Sequence, residues 1–268
     1  MTRIAEAFAS ARGSSAFIPY VCAGDPDKRF TRELVKSLVG AGADIIELGM
    51  PFSDPVADGP VIQQAMNRSL AAGFRCSDLF ELISDLRKEG VIQPIVVMTY
   101  YNPVLRMGVG TFCRRLAEAG ADGILPVDLP PEESTELDAA ASQHGLDVIR
   151  LIAPSTSDSR IDYILSKARG FVYVVSVAGT TGARNELPRS AVELLNRVTS
   201  RSKLPVVLGF GISSPEHVRA AMSSGASGVV EGSKLISLYS GNIGERSRAL
   251  EAVREHASQM KAATFCKD

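Results

Sequence analysis

The sequence has few of the residues that bind metals or form disulfides. Its four cysteines lie far apart, and no two of them form a CxxC pair: Cys22, Cys76, Cys113 and Cys266. Isolated thiols in a chain of this length predict a reducing compartment and no zinc site. The three histidines fall in charged segments with helical patterns: His144, His217 and His256. We expect them at the surface and assign them no chemistry.

The sequence also lacks charge of one sign and long hydrophobic runs. Its formal net charge is −1, which gives no reason to expect nucleic acid or an anionic membrane as a partner. No window approaches the run of about 18 apolar residues that a membrane-spanning helix needs. The first residues form an amphipathic pattern that includes Glu6, without the apolar core of a signal peptide. We therefore expect a cytoplasmic protein.

Eight short apolar runs alternate with longer amphipathic ones. They predict strands at residues 16–21, 44–49, 95–99, 123–127, 147–151, 171–176, 205–209 and 228–231. Strands and helices that alternate with a period of about 30 residues predict parallel strands joined by right-handed crossovers. Eight such units close a barrel of about 250 residues, and this chain has 268.

A weak internal repeat supports the same architecture. Gly42, Gly120 and Gly225 each stand between a helical pattern and a strand, where glycine supplies the left-handed residue that ends a helix. An open doubly wound sheet is the alternative, but the glycine-rich dinucleotide fingerprint after the first strand is missing. We predict one domain, residues 1–268, with the α/β fold of a single (β/α)8 TIM barrel. It carries an extra N-terminal helix at 2–11 and an insertion after strand two at 60–72.

The second predicted strand and the loop after it are rich in acidic residues. Side chains alternate along a strand, so Ile45 and Glu47 share the interior face. A buried carboxylate is costly unless it is paired or used, and desolvation should raise the pKa of Glu47. Asp58 lies in the following loop, which prolines keep from being helical, and we expect it to stay ionised. The alternative interpretation is a solvated acidic loop.

Three late loops are suited to a phosphate group. They are Ala178-Gly-Thr-Thr-Gly-Ala183, Gly209-Phe-Gly-Ile-Ser213 and Gly232-Ser-Lys234, after the last three predicted strands. Glycine lets backbone N–H groups approach an anion, and a helix N-terminus adds a favourable dipole. Barrels of this kind often hold phosphate at these loops. The sequence therefore predicts a phosphate ester as substrate.

With these residues assembled, the chain resembles the tryptophan synthase alpha subunit family over essentially its whole length. The motifs that carry the resemblance are residues 17–26, Glu47 to Pro60, Tyr100-Tyr-Asn-Pro103, Val127-Asp-Leu-Pro130, Gly179-Thr-Thr-Gly182 and Gly209-Phe-Gly-Ile-Ser213. The resemblance implies a lyase of tryptophan biosynthesis that cleaves indole-3-glycerol phosphate to indole and glyceraldehyde 3-phosphate by a retro-aldol reaction. It also implies no cofactor in this chain, and a channel for indole to a beta subunit that uses pyridoxal phosphate. The expected assembly is an alpha2beta2 heterotetramer.

The resemblance assigns roles to individual residues and implies no metal ligand. The catalytic residues are Glu47, Asp58, which holds the indole N–H, and Tyr173. The phosphate site is Gly182, Gly211, Gly232 and Ser233, with Thr181 on a mobile lid. The walls of the indole pocket are Tyr20, Tyr100, Leu125, Phe210 and Val230. The residues that face the beta subunit are Asp54, Asn102, Pro130 and Gly179.

Two positions depart from the family pattern, and three alternatives stay open. Thr180 stands where valine is usual, and Tyr20 where phenylalanine is common. A stand-alone indole-3-glycerol-phosphate lyase would have the same acids. A phosphosugar isomerase or epimerase barrel could use Glu47, Asp54 and Asp58 as oxygen ligands for Mg²⁺. The third alternative is an inactive barrel that only activates a beta subunit.

Overall fold

Short parallel strands form the centre of the molecule in the computed structural model, which describes residues 1–11, 15–175, 187–209 and 211–265. They are β1 (Ala16–Cys22), β2 (Ile46–Gly49), β3 (Ile95–Thr99), β4 (Gly123–Pro126), β5 (Asp147–Val148), β6 (Arg150–Ile152), β7 (Val172–Val175), β8 (Val206–Gly209) and β9 (Gly228–Glu231). The strand order is β5-β4-β3-β2-β1-β9-β8-β7-β6, and these pairings are parallel. Because β5 and β6 are separated only by Ile149, the sheet closes into a barrel. The predicted TIM-barrel fold is confirmed.

The predicted fifth strand, residues 147–151, is divided at Ile149, so the prediction of one continuous strand was wrong. Asp147 and Val148 pair with β4, whereas the residues from Arg150 to Ile152 pair with β7. The Ile149 N–H still donates to the Ile124 carbonyl at 2.9 Å. The chain changes its neighbour at this residue, and that change joins the two edges of the sheet.

Helices surround the barrel. They are α1 (Arg3–Ser10), α2 (Lys28–Gly40), α3 (Pro60–Ala71), α4 (Cys76–Lys88), α5 (Tyr101–Met107), α6 (Val109–Ala119), α7 (Thr135–Gln143), α8 (Asp158–Lys167), α9 (Arg189–Thr199), α10 (Pro215–Ser223), α11 (Ser233–Ser240) and α12 (Arg246–Ala262). In the part of the chain that the structure describes, no helix has the length and apolar character to cross a membrane.

The two predicted additions to the barrel are present as α1 and α3. Thr2 begins α1, because its hydroxyl accepts a hydrogen bond from the Ala5 N–H. Ile4 of α1 is buried, and its Cδ1 lies 3.2 Å from where a Cβ on Gly123 would stand. Helix α1 therefore packs against the start of β4. Pro60 occupies the first turn of α3, where its missing N–H costs nothing.

The glycines of the internal repeat have the predicted left-handed conformation. The φ angles of Gly42 and Gly120 are both +98°. A Cβ at either position would also come within 2.9 Å of a side-chain carbon, of Lys261 and Arg87 respectively. These helix ends therefore need glycine for both conformation and space.

Two aspartates anchor strands at the amino-terminal end of the barrel. Asp44 accepts a hydrogen bond from the Phe17 N–H at 2.7 Å and one from the Lys261 ammonium at 2.8 Å. Asp122 accepts one from the Ile95 N–H at 2.8 Å and one from the Arg87 guanidinium at 2.7 Å. Each carboxylate satisfies a strand amide and pairs with a cation from a helix, so it fixes that helix to the barrel.

Two histidines contradict the expectation of surface positions. His217 is buried, and its Nδ1 lies 3.3 Å from the Ser213 N–H that donates to it. The His256 Nε2 lies 2.7 Å from Oε1 of Glu231, which is fully buried. Helices α10 and α12 turn these faces toward neighbouring elements, which the local charge pattern of the sequence did not indicate.

The anchoring role of Asp122 predicts a large loss of stability in Asp122→Ala. The substitution leaves the Arg87 guanidinium half-buried and unpaired, so we expect a loss of about 3–5 kcal/mol in the free energy of unfolding. Urea denaturation followed by circular dichroism measures it. The control is Asp162→Ala, which removes an exposed ion pair to Arg201 and should cost less than about 1 kcal/mol. Equal losses in the two variants would contradict the anchoring role.

Candidate active site

The strand register places five of the predicted site residues on the inner face of the barrel. Paired residues of parallel strands share a face, and side chains on one strand alternate. Tyr20 pairs with Glu47, and Glu47 pairs with Val96. The same counting around the barrel adds the remaining members of the set: Leu125, Tyr173 and Val230. These five side chains therefore project into one interior.

Glu47 is a carboxyl group enclosed by the barrel. Its side chain is on the inner face, and the residue is 1% exposed. In the described part of the chain, its buried Oε2 has no hydrogen-bond partner. Burial raises the pKa of Glu47 to about 8, and the nearby charge of Asp58 contributes in the same direction. The acid form of Glu47 therefore persists at neutral pH, in agreement with the raised pKa that its position in the strand predicted.

Asp58 lies beside it on the loop between β2 and α3, and is 7% exposed. The Tyr100 hydroxyl donates to Asp58 Oδ2 at 2.7 Å and accepts a hydrogen bond from the Ala57 N–H at 2.9 Å. Burial raises the pKa of Asp58, and the Tyr100 hydrogen bond opposes this shift by stabilising the carboxylate. Of the two carboxyl groups, Asp58 is thus the one whose ionised form accepts a hydrogen bond from a neighbouring side chain.

Two tyrosines enclose the carboxyl groups. A Cβ on Gly49 would stand 2.2 Å from the Tyr20 hydroxyl oxygen, and a Cβ on Gly209 would stand 2.2 Å from that of Tyr173. Glycine is therefore required at both positions for the phenol groups to fit. Burial raises the pKa of Tyr173 well above its usual value, and the charges of Glu47 and Asp58 raise it further. The phenols of Tyr20 and Tyr173 stay protonated and form uncharged walls beside the two carboxyl groups.

The predicted phosphate residues within the described ranges lie at the same end of the barrel. Gly211 has a φ angle of +81° and follows β8, whereas Gly232 follows the neighbouring strand β9 and begins α11. Ser233 is the first residue of that helix, whose free N–H groups and dipole favour an anion. A Cβ on Gly232 would stand 3.3 Å from the Tyr20 ring. The helix start and the carboxyl groups thus lie on either side of Tyr20.

The structure describes only some of the remaining predicted residues. Of the predicted indole pocket, Tyr20, Tyr100, Leu125 and Val230 are buried around the carboxyl groups. Four of the predicted residues lie outside the described ranges: Gly179, Thr181, Gly182 and Phe210.

Three of the four predicted partner-facing residues lie within the described ranges, after the carboxyl ends of strands. Asp54 and Pro130 lie on the loops after β2 and β4, and Asn102 lies in the first turn of α5, after β3. Asp54 and Asn102 are exposed, and Pro130 is half-buried. Two large apolar side chains stand out beside them, since Val56 is 85% exposed and Leu105 is 53% exposed. A cavity of about 590 Å³ opens between these loops, with Met50, Phe52, Phe74, Asn102 and Arg106 in its wall.

The alternative of a Mg²⁺ site is not supported by the placement of its three acids. Glu47 and Asp58 are buried, whereas Asp54 is exposed and accepts a hydrogen bond from the Ser53 hydroxyl. Among the described residues, no group of three His, Cys, Asp or Glu side chains is arranged to hold a metal ion.

Sequence reasoning missed the hydrogen bond from Tyr100 to Asp58. Tyr100 was predicted only as a wall of the pocket, yet its hydroxyl fixes the loop that carries Asp58. The two residues are 42 positions apart, and the available signal was a tyrosine directly after the third predicted strand. A polar aromatic residue at the carboxyl end of a barrel strand is a candidate for contact with the site.

Comparison with known proteins identifies the family of this chain. The family model described as Tryptophan synthase alpha chain matches residues 7–265. The chain belongs to the tryptophan synthase alpha chain family. It is 47% identical over 259 residues to the alpha chain of Methanothermobacter thermautotrophicus, covering 97% of this chain and 95% of that protein. It is 48% identical over 257 residues to that of Roseiflexus sp., covering 95% and 98%.

Solved structures of tryptophan synthase have the same fold. The alpha subunit from Legionella pneumophila superposes with a TM-score of 0.90 at 36% identity, covering 98% of both chains. A chain of the tryptophan synthase complex from Pyrococcus furiosus gives 0.83 at 39% identity, covering 92% of this chain and 98% of that one. The family predicted from the motifs is confirmed, and with it an enzyme of the lyase type in tryptophan biosynthesis.

The burial of Glu47 predicts a pH-dependent cost in stability. Its pKa rises from 4.5 to about 8 on folding, so the folded state binds the proton more tightly than the unfolded state. Any stability gained from this proton is complete below pH 4.5 and is lost as pH rises toward 8. Glu47→Gln should therefore raise the melting temperature more at pH 8.5 than at pH 5, as measured by calorimetry. Glu118→Gln, an exposed control, should show no such difference. A pH-independent effect of Glu47→Gln would contradict the buried, protonated state.

Proposed function

We propose that this chain cleaves indole-3-glycerol phosphate to indole and glyceraldehyde 3-phosphate. The observation that carries the proposal is the pair of neighbouring buried carboxyl groups with unequal environments. Burial keeps Glu47 protonated at neutral pH, and the Tyr100 hydroxyl supports the carboxylate of Asp58. The reaction needs one group of each kind.

Glu47 begins the reaction by donating its proton to C3 of the indole ring. The ring then carries positive charge at its nitrogen, and the Asp58 carboxylate stabilises it by accepting the N–H hydrogen bond. The carboxylate of Glu47 next removes the proton of the side-chain hydroxyl. The oxygen electrons form the aldehyde C=O, the bond to C3 breaks, and its electrons restore the C2=C3 bond of indole. One proton enters at C3 and one leaves the hydroxyl, so Glu47 returns to its starting state.

Tyr173 is the third residue that we place at the reacting centre. It lies on the inner face of β7, and its pKa responds to the charges of both acids. As a neutral phenol, it can hold a side-chain hydroxyl of the substrate without taking its proton. Tyr20, Tyr100, Leu125 and Val230 form the walls around the ring, together with Phe210.

The phosphate group of the substrate binds at the start of α11. Ser233 and Gly232 supply backbone N–H groups there, and the left-handed Gly211 lets the neighbouring loop approach. The proposed phosphate site also includes Gly182 and Thr181, which lie outside the described ranges. If the indole ring of the substrate lies near Glu47 and its phosphate lies at the start of α11, the glycerol chain runs between these two points, beside Tyr20.

A pyridoxal-phosphate-dependent beta subunit is the proposed partner, in an alpha2beta2 complex located in the cytoplasm. This chain itself is assigned no cofactor. Support comes from the exposed Asp54 and Val56 on the loop after β2, and from the exposed Asn102 and Leu105 on α5. Pro130 and Gly179 belong to the same predicted surface. The likeness to a chain of the Pyrococcus furiosus tryptophan synthase complex points in the same direction.

Indole release from indole-3-glycerol phosphate by the purified chain tests the function, with and without a cognate beta subunit. We expect slow release alone and a large increase with the partner. Glu47→Gln should lower turnover by about 10²–10⁴-fold because it removes the only proposed proton donor, while binding of the phosphate ester stays intact.

The exposed variant Glu118→Gln serves as the control for that assay. Wild-type turnover should fall as pH rises through about 8, because the acid form of Glu47 is then lost. Fast release that the beta subunit does not change would instead indicate a stand-alone lyase. Failure of the wild-type chain to release indole under either condition would refute the proposed function, as would an active Glu47→Gln.

The division of roles predicts graded effects at Asp58 and Tyr100. Asp58→Asn should lower kcat/KM by about 10²–10³-fold because the charge that stabilises the ring nitrogen is gone. Tyr100→Phe keeps the ring but removes one hydrogen bond to that charge, so about a tenfold loss is expected. Steady-state kinetics measure both. A rise in KM at unchanged kcat for Asp58→Asn would make Asp58 a binding residue only.

A further inference from the structure

Another buried carboxyl group lies outside the site residues, in the turn after β1. Asp25 is 0% exposed. Arg68 of α3 binds it with both arms of the guanidinium, Nε to Oδ1 at 2.8 Å and Nη2 to Oδ2 at 2.7 Å. A two-pronged contact of this kind fixes the direction of the arginine as well as its distance.

A side chain of helix α11 also contacts the Asp25 carboxylate. The Tyr239 hydroxyl donates to Asp25 Oδ2 at 2.5 Å, and Arg68 Nη2 also donates to the Ser240 hydroxyl at 3.0 Å. The Tyr239 ring is held in turn against Phe30 of α2, with ring centroids 5.3 Å apart. Asp25 therefore ties the end of β1 to α3 and α11 at one point.

The turn that carries Asp25 is itself held firmly. The Ser69 hydroxyl of α3 donates to the Ala23 carbonyl at 2.6 Å, and the Gly24 N–H donates to the Thr31 hydroxyl at 3.0 Å. Gly24 has a φ angle of +79°, and a Cβ there would stand 2.3 Å from the Phe74 ring. The carboxylate thus has a fixed position from which to orient the two helices.

Stability alone is a weak explanation for such a network. A buried ion pair is often replaceable by apolar side chains of similar volume at little cost. What apolar contacts do not supply is direction. The direction of these two helices matters because each begins at the proposed site. Helix α3 begins two residues after Asp58, and α11 begins at Ser233. A helix is a stiff rod with a rise of about 1.5 Å per residue, so fixing its later turns fixes its start.

We propose that Asp25 is a positioning residue that, through Arg68 and Tyr239, sets the distance between Asp58 and the phosphate-binding start of α11. This inference rests on the proposed function, which puts the indole N–H at one of these points and the phosphate at the other. A substrate that spans both points needs them at the right separation. A small ligand that occupies one point does not.

The test compares one linked ligand with its two halves in Asp25→Asn. Indole-3-propanol phosphate spans the site and cannot undergo the retro-aldol step, whereas indole and glycerol 3-phosphate each fill one half. We expect the linked ligand to bind about tenfold more weakly than to the wild type, with each half within about twofold, because only the linked ligand depends on the relative geometry. Calorimetry or ligand-detected NMR on the full chain measures all three affinities.

Two further variants keep the test decisive if Asp25→Asn fails to fold. Tyr239→Phe keeps the ring on Phe30 and removes only the hydroxyl, so it should weaken the linked ligand selectively, by about threefold. Arg68→Lys keeps the charge but loses the two-pronged contact, and it should resemble Asp25→Asn. The exposed control Asp162→Asn should change no affinity.

The outcomes separate this inference from the proposed function. Selective loss of the linked ligand, with a matching rise in KM for indole-3-glycerol phosphate, supports positioning by Asp25. Parallel loss of all three ligands, or no loss in a folded variant, overturns it, because Asp25 would then only stabilise the fold. Absence of indole release by the wild-type chain would instead refute the proposed function.

Discussion

The buried carboxyl group of Glu47 is the constraint on which the chemistry of the site depends. In the described part of the chain its Oε2 has no hydrogen-bond partner, and its pKa is raised to about 8. Two adjacent carboxyl groups in a poorly solvated space do not both ionise easily. The Tyr100 hydroxyl decides between them, because it donates to Asp58 and no described residue donates to Glu47 Oε2. The two environments thus favour the acid form of Glu47 and support the carboxylate form of Asp58.

The closed barrel makes this burial possible. A parallel barrel brings the carboxyl ends of its strands to one rim and turns every second side chain into the interior. The register that pairs Glu47 with Tyr20 puts an acid on the inner face, where aliphatic side chains and phenols replace water. Gly49 and Gly209 leave the space that those phenols occupy. A side chain at Gly49 or Gly209 would displace the Tyr20 or Tyr173 phenol that lies beside the acid. These two glycines are therefore needed for the electrostatic arrangement of the site.

Features encoded within a few neighbouring residues were predictable from the sequence. Apolar runs gave the strands, and alternation within one strand gave the inward direction of Glu47. Glycine before a strand gave the left-handed helix ends at Gly42 and Gly120. Features that depend on tertiary pairing were not predictable in this way. Three features join residues that come together only when the barrel closes. They are the change of partner at Ile149, the contact of His256 with the buried Glu231, and the hydrogen bond from Tyr100 to Asp58.

Asp25 and Glu47 show how buried carboxyl groups of one chain differ in purpose. Both are nearly inaccessible to solvent. Asp25 lies in the turn after β1, and Glu47 lies within the adjacent strand β2. Asp25 is surrounded by donors, a guanidinium and a phenol, whereas Glu47 Oε2 has none among the described residues. A saturated carboxylate has no capacity left for a substrate, so its value lies in the elements it holds together. An unsaturated one destabilises the fold as pH rises toward 8 and remains available to exchange a proton. A protein retains such a cost where function requires it. The lack of a partner for Glu47 Oε2 among the described residues therefore supports the proposed role of Glu47 in catalysis.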